Sequence, residues 1–598
     1  MPVKGPQKGI RGQGRGSQAS ALAGVLAVAA FGVAVLTADR HGAAQADGGG
    51  GAQRCMGAEA TIVGTQGSDR GAAPIRVGND DVRRCPGNSL RDSAPSEAPG
   101  SEPPPHSAEQ DPPNIVVITT DDQHAASLNA SFMPNVMQLI ADPGARFQRS
   151  IVATPLCCPS RAAFLTGQYG HNNGVLWNLP GYRDLRDPHN TLPVWLRASG
   201  YRTIHVGKFL RGYWLDGDPT QPPPGWDQWA TMINWRYYDY VMALDGLPVG
   251  VGGETHEYLT TVLNQLAEEK IRRYAPGDRP LFMVVDQFAP HEWAGEGQVE
   301  RCASPAPEPA WRDRDAFADE PLPGPPSLAE ADVSDKPSFI QARSVPTVEQ
   351  ISEREREYRC GLAALREVDR GVERIWRALE AVGEEDDTVM VFTSDNGFYY
   401  GEHRLIEGPD KSLPYREGLE VPLAIRLPDG LRPPGGIKVD ELVANVDLAP
   451  TLLELAGASP CAAPGDCRTL DGRSLVPLAT GRSAGWPSER AIAIEADVGG
   501  PTTAANLSCR YQGLLTDRYV YVHHTSVADP DGICVGTDER EHYDLEADPF
   551  QLENLFPAGV GSADERIQRM LATRAERLAD CSGIRGRDPA PVGRSYCE

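Results

Sequence analysis

Lysine is scarce in this chain. Of its 57 basic residues only seven are Lys, at positions 4, 8, 208, 270, 336, 411 and 438. Positive charge is scarce too. The 82 Asp and Glu leave a formal net charge of −25 over 598 residues. That balance argues against non-specific nucleic-acid binding, which needs a basic face to displace counterions from phosphates. An anionic ligand would have to meet a local positive exception. After residue 38 no apolar run is long enough to span a bilayer, so a multi-span membrane protein is excluded. No internal repeat is apparent, which argues against a solenoid or propeller. With 40 % hydrophobic and 23 % charged residues, the chain is not wholly disordered.

The apolar run that does exist lies at the start. Lys4, Lys8, Arg11 and Arg15 precede any acid, Ala21–Ala38 is almost wholly apolar, and Ala44-Gln45-Ala46 is a small-x-small pattern. Residues 1–46 therefore read as a signal peptide or an N-terminal membrane anchor, and either one exports the body to a secreted or cell-surface location. Residues 47–111 read as a Pro/Gly-rich linker. A second Pro-rich stretch, 303–329, reads as a surface excursion. Export makes the twelve cysteines disulfide candidates. Short loop closure suggests 55–85, 302–360, 461–467, 509–534 and 581–597. Cys157 and Cys158 are left over, and adjacent cysteines rarely bond each other.

From residue 112 to 460 the pattern is α/β. Asn114–Thr120 is a continuous β-branched run of the kind that forms a buried parallel strand, Tyr201–Val206 and Leu281–Gln287 read as further strands, and Asp387–Ser394 reads as another buried one. A long amphipathic helix is predicted from near Ser352, with Glu355 completing a capping box. Residues 461–598 carry shorter, half-alternating runs, Arg490–Ile494 and Tyr519–His523 among them. They predict a smaller antiparallel C-terminal subdomain beside a large, mostly parallel sheet sandwiched by helices.

Polar clusters follow each predicted strand: Asp121-Asp122, Lys208, His291 and Asp395-Asn396-Gly397. In open α/β sheets the ligand crevice lies at the carboxyl ends of the strands. Asp121, Asp122, Asp395 and Asn396 offer only hard oxygen ligands, which suit Ca²⁺ or Mg²⁺ rather than zinc or copper. Strand-end Asp and Asn are also common turn formers. Residues 157–167 read Cys-Cys-Pro-Ser-Arg-Ala-Ala-Phe-Leu-Thr-Gly. Pro159 suits a first helical turn, which puts Cys157 at a helix N-terminus beside the fixed charge of Arg161. Read on its own this is an activated thiolate, an odd partner for hard-metal ligands.

The segment Cys157-x-Pro159-Ser160-Arg161-x-x-x-Leu165-Thr166-Gly167 resembles the signature of type I sulfatases, whose Cys becomes formylglycine. The resemblance covers about residues 112–557 and continues in family order. Asn114–Asp122 and Ser394–Gly397 look like the metal-binding segments. Gly207-Lys208 and Lys411 look like the sulfate-binding lysines, and Pro290-His291 like the leaving-group histidine. Tyr543-Asp544-Leu545 looks like the C-terminal sheet motif. Gly207–Leu210, the Cys157-Cys158 doublet and Asp332–Pro337 are closest to the N-acetylglucosamine-6-sulfatase branch, with Leu210 where many relatives carry His. That branch often has His-Asn-His where this chain has His171-Asn172-Asn173, which makes His171 a candidate elimination base. His403 is a further pocket or loop candidate.

The resemblance implies an alkaline-phosphatase-like fold and hydrolysis of a sulfate ester on a glucosamine-type sugar. It implies a hydrated formylglycine at Cys157 as nucleophile, which a formylglycine-generating system must install. Asp121, Asp122, Asp395, Asn396 and modified Cys157 would hold Ca²⁺, or Mg²⁺. Arg161, Lys208 and Lys411 would handle charge, and His291 would protonate the leaving group. Trp177, Asn178, Trp235, Tyr237, Tyr238 and Trp293 are candidates for the pocket mouth. The net charge favours small or singly sulfated fragments over intact polymers. A phosphonate or phosphodiester hydrolase of the same superfamily and a carbohydrate-binding pseudoenzyme are the alternatives.

Overall fold

A computed structural model describes residues 112–598 apart from 215–216, 294–300, 303–304, 407–410, 501–506 and 558. The expectations for 1–46, 47–111 and Cys55–Cys85 lie outside the described residues. In chain order the elements that build the site are β1 (Asn114–Thr120), β2 (Ala145–Phe147), α1 (Cys157–Thr166), β3 (Arg202–Gly207), β4 (Gln228–Met232), β5 (Tyr240–Leu244), β6 (Leu247–Val251), α2 (Leu259–Tyr274), β7 (Leu281–Asp286), α3 (Val348–Glu380), β8 (Thr388–Ser394), β9 (Leu423–Arg426), β10 (Ile437–Val439) and α4 (Leu448–Ala456). The ten strands form one sheet in the order β10-β2-β9-β8-β1-β7-β3-β4-β5-β6. The five central strands, β8 to β4, run parallel, and antiparallel strands flank them.

The continuous apolar runs are explained by burial on both faces. Val116, Ile118, Met283, Val285, Met390 and Phe392 pack on one side with residues of α2 and α3. Their neighbours Ile115, Val117, Phe282, Val284, Val389 and Val391 point to the other side, among residues of α1 and α4. Beyond the large sheet come β11 (Ala491–Asp497), β12 (Ser508–Thr516), β13 (Tyr519–Ala528), β14 (Cys534–Asp544) and α5 (Ala563–Leu578). These four strands form a separate antiparallel sheet in sequence order, with Leu571, Ala575 and Leu578 of α5 in its core.

Disulfides join Cys302–Cys360, Cys461–Cys467, Cys509–Cys534 and Cys581–Cys597, while Cys157 and Cys158 are free and buried. Two local expectations need correction. Helix α3 begins at Val348, a turn earlier than predicted. Its capping box is Thr347 with Gln350, whose backbone N–H donates to Thr347 Oγ1 over 3.2 Å. Glu355 instead pairs with Arg359 at 2.8 Å. The 303–329 stretch is not simply a surface excursion. Ala306 and Ala310 are buried, and the Tyr258 hydroxyl donates to the Glu308 carbonyl over 2.8 Å.

Candidate active site

The site is assembled from strand ends and one helix start. Because β8, β1, β7 and β3 are parallel neighbours in register, the residues after them emerge at one edge. Asp121 and Asp122 leave β1, Asp395 and Asn396 leave β8, and Lys208 leaves β3. Two glycines make the crowding there feasible. A Cβ on Gly207 would lie 1.8 Å from the Asp286 carbonyl oxygen, and one on Gly397 would lie 1.9 Å from that of Glu417. Gly207 also holds φ +117°, which turns the chain so that Lys208 N–H donates to the Asp286 carbonyl over 2.8 Å.

Cys157 is the first residue of α1. Its Sγ lies 3.6 Å from Asp121 Oδ1 and 3.6 Å from Lys208 Nζ. The motif's arginine serves as a strut. Arg161 Nε donates to Asp395 Oδ2 over 2.8 Å and one Nη reaches Asp286 Oδ1 at 2.9 Å. Lys208 is ion-paired with Asp121 and Lys411 with Asp122. Asn396 Nδ2 donates to Asp122 Oδ1 over 2.6 Å, and the Asp122 N–H reaches Asp395 Oδ1 at 3.3 Å. Asp122 itself sits at φ +67°, a conformation that aims its carboxylate back into the cluster and costs a non-glycine residue some strain.

His291 Nε2 stands 3.6 Å from Asp122 Oδ2. Its Nδ1 lies 2.5 Å from the Glu292 carbonyl, which can only accept, so Nδ1 carries a proton and Nε2 is the group presented to the site. The ring stacks on Phe288, and the Tyr237 hydroxyl donates to the His291 carbonyl over 2.8 Å. These contacts set the orientation of the imidazole.

The electrostatics are those of crowded, dry charge. Burial drives the Cys157 thiol well above its ordinary range despite Lys208 and Lys411, so the thiol is not an activated thiolate. Burial, reinforced by Asp121, pushes Asp395 up to about 7. Burial acts against Asp121 as well, but Lys208, His291 and Arg161 more than offset it and hold that carboxyl low. His291 is held well below the usual imidazole value by burial and by the two lysines.

A divalent ion fits here. Three carboxylates converge in a buried volume, and Asn396 Oδ1 is buried with no hydrogen bond. Ligand-type atoms of Asp121, Asp122, Cys157 and His291 all lie within 4.8 Å of one another. That quartet adds His291 to the predicted Asp121, Asp122 and Cys157, while Asp395 gives one oxygen to Arg161 and the other to the Asp122 N–H. The carboxylates and the Asn396 amide are hard oxygen donors, and the Cys157 sulfur is the soft exception among them.

Other predicted residues lie elsewhere. His171 is not in the cluster. Its Nδ1 faces Glu495 at 2.9 Å and its Nε2 the Cys581 carbonyl at 3.1 Å, so both ring nitrogens are engaged in packing the C-terminal sheet, and the elimination-base role does not fit its position. His403 is buried between Glu330 at 2.8 Å and Glu417 at 3.6 Å, stacked on Tyr415. Tyr237 and Tyr238 are core residues, Trp177 packs on the C-terminal core, and Trp235 lines an open cleft. Sequence reading missed Asp286 and His205. Asp286 binds Arg161 with one oxygen and His205 Nε2 at 3.1 Å with the other, which fixes the guanidinium. Its place at the end of a predicted strand was the available signal.

Comparison with known proteins agrees with this geometry. The Sulfatase family pattern matches residues 113–458, and that of "N-sulphoglucosamine sulphohydrolase, C-terminal" matches 401–580. Arylsulfatase of Chlamydomonas reinhardtii is 31 % identical over 77 % of this chain and 74 % of its own. Human N-acetylglucosamine-6-sulfatase is 30 % identical over 80 % of this chain and 86 % of its own. A solved structure, of a protein in complex with its substrate D-glucosamine-2-N,6-O-disulfate, superposes with a TM-score of 0.61 at 24 % identity, covering 78 % of this chain and 97 % of that one. It shows the shared fold. The family pattern spans more than half of the sequence, and the chain belongs to the sulfatase family of sulfuric ester hydrolases.

Proposed function

We propose that the protein releases inorganic sulfate from a sulfate ester on a glucosamine-type sugar, with Cys157, converted to formylglycine, as nucleophile. The carrying observation is the position of Cys157: first residue of a helix, in contact with both Asp121 and Lys208 at 3.6 Å. The sugar assignment is supported by the N-acetylglucosamine-6-sulfatase relatives and by the branch motifs at Gly207–Leu210 and Cys157-Cys158.

In this reading Lys208 and Lys411 exchange their carboxylate partners for sulfate oxygens, and Arg161 holds Asp395 and the helix start in place. A Ca²⁺ or Mg²⁺ ion held by Asp121, Asp122, Asp395, Asn396 and residue 157 would offset the three carboxylates and polarise the nucleophile. One hydroxyl of the hydrated side chain attacks sulfur, and the bond from sulfur to the sugar oxygen breaks. His291 Nε2 delivers a proton to that oxygen. Sulfate charge on the two lysines removes part of what depresses this imidazole, so substrate binding itself favours the proton-carrying form. The second hydroxyl then gives its proton to the vacated Nε2 of His291, the carbon–oxygen bond to sulfate breaks, and the aldehyde returns. A serine could not do this last step.

Export belongs to the same proposal, supported by four disulfides, which persist in oxidising compartments. Two measurements test the whole. Peptide mass analysis of active protein should find an aldehyde at position 157. Assays should release sulfate from N-acetylglucosamine 6-sulfate faster than phosphonate esters are cleaved. Fully active enzyme with an intact thiol would overturn the nucleophile, and a preference for phosphonate would overturn the substrate.

A further inference from the structure

The reaction as proposed leaves a cleft of about 850 Å³ beside the site without a role. Its walls include Leu179, Pro180, Arg183, Arg211, Trp214 and Trp235. A short path joins it to the reacting atoms. Lys208 Nζ, 3.6 Å from Cys157 Sγ, lies 4.8 Å from the centroid of the Trp235 ring. The Arg211 guanidinium sits 4.1 Å from the same ring. A ligand with one sulfate on Lys208 would extend along Trp235 towards Arg211.

The helix that carries Cys157 also fixes this cleft. The Cys158 N–H donates to Asn178 Oδ1 over 2.8 Å, which anchors the residue before Leu179. Cys158 Sγ accepts the Arg211 N–H over 3.2 Å. The second cysteine of the doublet therefore ties two walls of the cleft to the residue next to the nucleophile, which gives it a use that requires no disulfide.

The charge of the cleft runs against that of the molecule. The chain carries −25 overall, yet among the described residues neither Arg183 nor Arg211 is ion-paired. Arg161, by contrast, is held by Asp395, Asp286 and Asp121. Guanidinium forks suit carboxylate and sulfate oxygens, and an indole face suits the apolar side of a sugar ring.

We infer that this cleft is a subsite for a second anionic group of the substrate, a sulfate or a carboxylate, held by Arg211 and Arg183 with Trp235 beneath the sugar. The inference rests on the sulfate-ester reading above and narrows it to small substrates that carry at least two negative charges, in place of the singly sulfated ones that net charge alone favours.

The test compares kcat/KM for three substrates with the same reacting 6-sulfate: N-acetylglucosamine 6-sulfate, glucosamine 2-N,6-O-disulfate, and a 6-sulfated disaccharide with an adjoining uronate. Wild type should favour one of the two dianions, and which one it favours separates sulfate from carboxylate. Arg211→Ala should cut that preference about tenfold, mainly through KM, with Arg183→Ala acting in the same direction. Arg211→Lys should retain part of it. Added salt should erode the preference in wild type more than in Arg211→Ala. No preference in wild type, or the same preference in all variants, overturns the subsite. Calorimetry of the same sugars on Cys157→Ala reads the subsite without turnover, and equal affinities there overturn it. Absence of turnover for all three sugars in wild type, with unequal binding, would instead sink the substrate reading and leave the subsite standing.

Discussion

Two of the molecule's buried charge networks are built in opposite ways. Behind the C-terminal sheet, Arg490 reaches both oxygens of Asp447 at 2.6 Å and pairs with Glu598 at 2.5 Å. The remaining acceptor capacity of Asp447 takes the backbone N–H groups of Ala444 and Arg473, each over 2.8 Å. That network is closed. At the strand ends, three carboxylates meet Arg161, Lys208 and Lys411, yet Asn396 Oδ1 has no donor and one Nη of Arg161 has only Asp121 at 3.5 Å. The open network has partners that are displaceable and positions that a further positive group would complete. In this pair the satisfied network fixes the fold, and the unsatisfied one, at the strand ends, is the one with room for a further positive group.

The largest effect should come from breaking the open network at its centre. Cys157→Ala should lower kcat/KM by about 10⁴-fold or more, since a nucleophile acts as a unit with its surroundings. Its melting temperature should stay within a few degrees of wild type, because one buried sulfur is lost and no charge is stranded. A variant that keeps its activity refutes the mechanism. Next in size is removal of the ion. Chelation, or Asp395→Ala, should abolish sulfate release, and added Ca²⁺ should restore only the chelated wild type. Metal analysis of purified enzyme should find about one Ca²⁺ or Mg²⁺ per chain; stoichiometric zinc would contradict the hard donor set.

The closed network should answer differently. Arg490→Met strands the Asp447 carboxylate and leaves Glu598 only Arg473, so it should cost about 3–5 kcal/mol of stability. The fraction that remains folded should keep its kcat, which denaturant titration and active-site-normalised kinetics can show together. Equal loss of kcat and stability would mean that the two networks are coupled, and the contrast drawn above would fail.

Most of the site could be read from sequence because its parts are local. A strand that is buried on both faces announces itself by its apolar run, and Asp121-Asp122 and Asp395-Asn396 follow such runs directly, while Lys208 follows a β-branched stretch interrupted by Arg202 and His205. The Cys157–Gly167 segment is contiguous. What escaped depends on pairing across long stretches of chain. Asp286 is one acid among 82 until β7 lies beside β3 and brings it to Arg161 and His205. Tyr237 and Tyr238 look like pocket aromatics until α2 covers them. The start of α3 was misplaced because Ser352-x-x-Glu355 and Thr347-x-x-Gln350 are equally good capping patterns, and only the second lies at the end of the helical backbone.

The smallest effect concerns His171, and it separates a structural histidine from a catalytic one. Burial opposes its charge, but Glu495 raises it to about 9 from an ordinary 6.5. A histidine whose folded pKa lies above its unfolded one binds its proton more tightly in the native state. Its contribution to stability is therefore complete below about pH 6.5 and fades as pH rises through about 9. His171→Gln removes that proton. The stability gap between wild type and variant should be about 1–3 kcal/mol at pH 6 and should shrink towards pH 9.5. Denaturant midpoints across that range measure it. Turnover is the second arm. An elimination base would show as a fall in kcat with KM falling in step and kcat/KM unchanged, because only the sulfate-expelling step, after the sugar has left, would slow. The ring faces Glu495 and the Cys581 carbonyl and touches nothing at Cys157, so kcat at pH 6 to 7 should hold once the folded fraction is accounted for. A drop of more than about tenfold, equivalent to about 1.4 kcal/mol, would return His171 to the chemistry and require the C-terminal sheet to carry part of the active site.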